Sequence, residues 1–109
     1  MWHQNTAERW QNLSLAEQLG NVGSEFGRVT AWQTKNKNSE ALLALERTLE
    51  LLDLSITDSR WQNNKRNELL RLREVICDNF LQSGHYLASS SWLENYFLAF
   101  AIFARKNKT

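Results

Sequence analysis

The stretch ALLALERTLELLDLSI, residues 41–56, places Leu42, Leu45, Leu49, Leu52 and Ile56 at alternating spacings of three and four. That period gathers all five on one side of an α-helix, whereas a strand would distribute them by alternation. Upstream, Asn36-Lys37-Asn38-Ser39 is a polar break in which Asn38 or Ser39 is expected to cap the helix. Before the break, Leu15, Leu19, Val22, Phe26 and Val29 repeat the same alternation. Ser14 and Glu17 stand three apart at its head, the spacing of a capping box, so this helix is expected to run from Ser14 to about Thr34. Residues 1–13 form a tail or a short helix that carries Trp10.

Downstream, Asp58, Ser59 and Asn63-Asn64 mark a second break. Leu69, Leu72, Ile76 and Phe80 then define a third stripe, expected to end near Gly84. Ser91 and Glu94 repeat the capping-box spacing and open a fourth helix from about Trp92 to Lys106. Proline is absent, so no helix is interrupted by a missing donor. The short connections imply antiparallel neighbours. The expected architecture is an all-α, antiparallel up-and-down bundle of about four helices in a single domain, residues 1–109.

Composition narrows the functions. Lys and Arg number 13 against 12 Asp and Glu, so no overall field drives nucleic-acid or anionic-membrane binding. The apolar run from Tyr96 to Ala104 falls far short of the ~20 residues a membrane span needs. Met1-Trp2-His3-Gln4-Asn5 has neither the basic start nor the apolar run of a signal peptide, and the single Cys77 fits a reducing compartment, so the expected location is the cytoplasm. Cys77 reads as a small buried apolar residue. No cofactor is implied. His3 and His85 stand alone, with no Glu-x-x-His pair for a ferritin-like di-metal core and no ligand set for zinc. No Arg precedes His85 at the four-to-six spacing of HEPN-type nucleases.

Four surfaces remain as candidates. The fourth helix holds Trp92, Tyr96, Phe97, Phe100 and Phe103, with little polar face between them. Such a helix must be covered all round, and the expected cover is a second copy of the chain or another protein; the alternative is a central helix shielded by the other three and by the Trp-bearing N-terminal segment. A basic group, Arg60, Lys65, Arg66, Arg71 and Arg73 with Trp61 among them, has the composition of a nucleic-acid track, although Glu68 and Glu74 interrupt it. Acidic residues Glu46, Glu50 and Asp53 share a face, as do Glu74 and Asp78. Carboxylates on neighbouring helices hold Mg²⁺ in the all-α nucleotide pyrophosphohydrolases, but that family spaces its pairs three apart, whereas Glu46 and Glu50, and Glu74 and Asp78, stand four apart. Surface ion pairing accounts for them. A stripe of Ala16, Gly20, Gly23 and Gly27 suggests close approach of another helix, since glycine inside a helix costs ~1 kcal/mol relative to alanine. The expected function is therefore a non-enzymatic interaction module that self-associates. A nucleic-acid accessory protein and a Mg-dependent nucleotide hydrolase are the alternatives.

The block from Ala44 to Ile56, followed by Leu70-Arg71-Leu72-Arg73-Glu74 and the ending from Tyr96 to Arg105, resembles a group of small uncharacterised helical proteins in prokaryotes. The resemblance implies no activity and no functional residue.

Overall fold

The computed structural model describes residues 4–81. Among them the chain is an all-α bundle: α1 (Gln4–Trp10), α2 (Leu15–Thr34), α3 (Asn38–Ile56) and α4 (Asn64–Leu81). The expected helix from Trp92 to Lys106, with its five aromatic residues, lies outside the described residues, as do Gly84 and both histidines. No described helix is long and apolar enough to cross a membrane.

The start of α2 follows its sequence signal. The Glu17 backbone N–H donates to Ser14 Oγ (3.1 Å), and the Ser14 N–H donates to Glu17 Oε1 (2.9 Å). Two of the helix's unpaired donors are thereby satisfied. At the other end Asn36 takes a left-handed conformation (φ 59°). Its N–H reaches the Gln33 carbonyl (3.0 Å), and the Lys37 N–H reaches Trp32 (2.9 Å). This is a Schellman closure with asparagine where glycine is usual. It corrects the expected cap of α3. The chain re-enters a helix at once, so Lys37 occupies the cap position without a side-chain bond, and neither Asn38 nor Ser39 acts as the cap.

The core bears out the expected stripes of α2 and α4 and most of the stripe of α3. On α2, Leu19, Val22, Phe26 and Val29 are buried; on α4, Leu69, Leu72 and Ile76 are, with Phe80 packed against them. On α3, Leu45 and Leu52 of the expected stripe are buried, together with Leu51 and a line of small side chains, Ala41, Ala44, Thr48 and Ser55. Ser55 bonds to Gln18 of α2, which identifies this as the face toward α2. Among the described helices, α2 and α3 share the most extensive contact. Thr48 satisfies its own hydroxyl by donating to the Ala44 carbonyl (2.8 Å).

Asp53, four residues from Leu49, binds Arg73 of α4. Leu49 and Ile56 are partly buried. Leu42, about 16 Å along α3 from Asp53, is 47% exposed, and Leu43 is 52% exposed.

Candidate functional site

Two indoles, an amide and a hydroxyl meet where α1, α2, α3 and the following loop converge. Gln18 is fully buried, and all four of its amide bonding positions are used. Its Oε1 accepts from the Ser55 hydroxyl (2.8 Å) and from the Trp61 indole N–H (2.9 Å). Its Nε2 donates to the Trp10 carbonyl (2.8 Å) and to Asp58 Oδ2 (3.2 Å). The indole N–H of Trp10 in turn donates to Ser55 Oγ (3.0 Å). Since an indole N–H can only donate and a carbonyl can only accept, these partners fix which end of the amide is oxygen.

The network continues to the surface through Asp58 and Arg60. The Arg60 side chain donates from Nε to Oδ1 (3.0 Å) and from Nη2 to Oδ2 (2.7 Å), and its backbone N–H also reaches Oδ1 (3.0 Å). Arg60 Nη2 further donates to the Leu13 carbonyl (3.0 Å), tying the α1–α2 link to the α3–α4 loop. The guanidinium of Arg60 holds the Asp58 carboxyl down from 3.8 to about 2, outweighing the opposing effect of burial; the Arg60 backbone N–H and the Gln18 amide add to the lowering. Asp58 correspondingly raises the pKa of Arg60. Every polar group at this hub has a partner, so it fixes helix register and leaves no reactive atom free.

The basic group is divided among several tasks. Trp61 has its N–H committed to Gln18, with Arg60 over its ring (4.5 Å to the centroid) and Lys65 nearby (5.3 Å). Arg73 donates from Nε to Asp53 Oδ1 (2.8 Å), and this bond raises its pKa. Arg66 lies on the same stripe of α4 as Arg73, half-buried, with Nε unpartnered. Arg71 is exposed on the other side of the helix. Trp61, Arg66, Arg71 and Arg73 therefore do not form one continuous track.

Glu46, Glu50, Glu74 and Asp78 are exposed, while Asp53 is drawn into the pair with Arg73. Among the described residues no three His, Cys, Asp or Glu side chains gather as a metal site. Cys77 is half-buried, less enclosed than expected, because it sits one position round α4 from the fully buried Ile76. A Cβ built on Gly27 would meet nothing within 4 Å, so the close approach expected of the glycine stripe does not occur at that position.

A cleft of about 430 Å³ opens between α1 and α2, lined by Thr6, Arg9, Trp10, Glu25, Arg28 and Leu51 among others. Glu25 is its distinctive group. Its side chain is only 13% exposed, its Oε1 is shut off from solvent without a donor among the described residues, and its Oε2 lies 3.8 Å from Arg28. Sequence reasoning passed over this cleft, because Arg9 and Glu25 lie on different helices and no short spacing links them. No protein-family model matches the chain, and no curated protein or solved structure is similar to it.

Proposed function

We propose that this chain is a non-enzymatic interaction module that associates with a second copy of itself through apolar helix surface, and that it acts in the cytoplasm, where Cys77 stays reduced. The observation that carries the reading is the exposure of Leu42 and Leu43 in the opening turns of α3, beside a core already filled by other side chains. Leucines half in water gain on being covered, at roughly 25 cal/mol per Å² of apolar area removed. The sequence adds Trp92, Tyr96, Phe97, Phe100 and Phe103, aromatic anchors of the kind that dominate protein interfaces.

Less supports the alternatives. A nucleic-acid track loses Trp61 and Arg73 to internal bonds, and a Mg²⁺ site would need acidic side chains that here point separately to solvent or to Arg73. The test is the solution mass of the full chain by light scattering, across a concentration series, for the parent and for Leu42→Glu, Phe97→Glu and Phe100→Glu. The expected result is an oligomeric parent and variants that are monomeric with unchanged helical circular dichroism. A parent that stays monomeric at every concentration overturns the reading.

A further inference from the structure

The α1–α2 cleft contains one carboxylate that the described residues leave under-bonded. Glu25 is largely withdrawn from water, yet among the described residues Oε1 has no donor, and Arg28, the cation it pairs with, stands off at 3.8 Å with a side chain 66% exposed. A carboxylate removed from water is stable only when charge and hydrogen bonds replace the lost hydration, and here the replacement is incomplete. The missing partner is a cationic donor. The terminal torsion of a glutamate is broad and roughly two-fold, so either oxygen can turn toward such a donor.

The remaining lining selects the rest of the ligand. Trp10, Leu13 and Leu51 supply apolar wall. Arg9 and Arg28 bring two positive charges against the one negative charge of Glu25, so the lining is net positive, and a simple cation would be repelled by its surroundings. A molecule with a cationic head, a short aliphatic stem and an anionic tail meets all three conditions. We propose that this cleft binds a small zwitterion of that kind, its ammonium group donating to Glu25, its stem against Trp10, Leu13 and Leu51, and its carboxylate held by Arg9 and Arg28. The cleft is of the size that small-molecule sites occupy. This site is independent of the self-association proposed above.

The experiment is a two-dimensional amide NMR titration of the full chain with ε-aminocaproate, with caproate and n-hexylamine as the half-ligands. The expected result is a saturable shift at residues of α1 and the middle of α2, with a dissociation constant on the order of 1 mM. Each half-ligand, and each of the variants Glu25→Gln and Arg9→Gln, should bind at least about tenfold more weakly, as expected for loss of one charge-assisted bond. Arg9 is exposed, so its variant keeps the test decisive even where Glu25→Gln perturbs folding. Absence of a saturable shift overturns the proposal. So does a half-ligand that binds as tightly as ε-aminocaproate, or binding that survives Arg9→Gln unchanged.

Discussion

Replacing Gln18 with leucine keeps a side chain of similar size and removes four hydrogen bonds from a fully buried position. The partners are affected unequally. Asp58 retains Arg60, and the Trp10 carbonyl retains the Leu13 N–H (3.1 Å). Ser55 still accepts from Trp10 but loses the acceptor for its own proton, and the Trp61 N–H loses its partner altogether. Two stranded donors at about 2 kcal/mol each, less about 1–2 kcal/mol recovered by the added apolar burial, predict a loss of about 2–3 kcal/mol. That is a large share of a typical domain's stability. Urea unfolding followed by circular dichroism and tryptophan fluorescence would measure it, as a lower midpoint at unchanged slope. Gln18→Glu sharpens the test. Glutamate keeps oxygens for Ser55 and Trp61 but turns a second carboxylate oxygen toward Asp58 and the Trp10 carbonyl. Its folded pKa should therefore lie above the ordinary ~4.3. The penalty is then full above that raised value and disappears below the ordinary one, where the protonated group again donates to Asp58. A Gln18→Leu protein within about 0.5 kcal/mol of the parent, or a Gln18→Glu penalty that does not change between neutral and mildly acidic pH, would refute the reasoning.

The lowered pKa of Asp58 means that its contribution to stability is complete above the ordinary 3.8 and is lost as pH falls through about 2. Carboxyl NMR should place its titration near 2, and Arg60→Gln should move it upward. Gly27→Ala should stabilise the chain by about 0.5–1 kcal/mol, seen as a higher thermal midpoint, because the new methyl enters open space and the helix gains propensity. At Asn36 the left-handed backbone should make glycine neutral or stabilising, whereas valine should cost about 1–2 kcal/mol in urea unfolding. Equal stability of the two variants would mean that the Schellman turn does not depend on that conformation.

Local chemistry alone determined much of this protein. The capping box of Ser14 and Glu17 and the three-and-four spacing of α2 and α4 specify helices and their inner faces, because those signals act within a few residues of each other. On α3 the sequence announced a leucine stripe; tertiary packing buries Leu45 and Leu52 of it but leaves Leu42 exposed, and buries the smaller Ala41, Ala44, Thr48 and Ser55 instead. Hydrophobic periodicity ranks residues by apolar size, whereas close helix approach selects small ones. Gln18 carries no local signal in the sequence; chain folding brings Ser55, Asp58 and Trp61 to it from 37, 40 and 43 positions away. The candidate cleft is decided in the same way, since Arg9, Glu25 and Leu51 become neighbours only when α1 lies against the α2–α3 pair. Helices are written in short-range spacing; buried polar partners and concave sites depend on distances in space that no local spacing encodes.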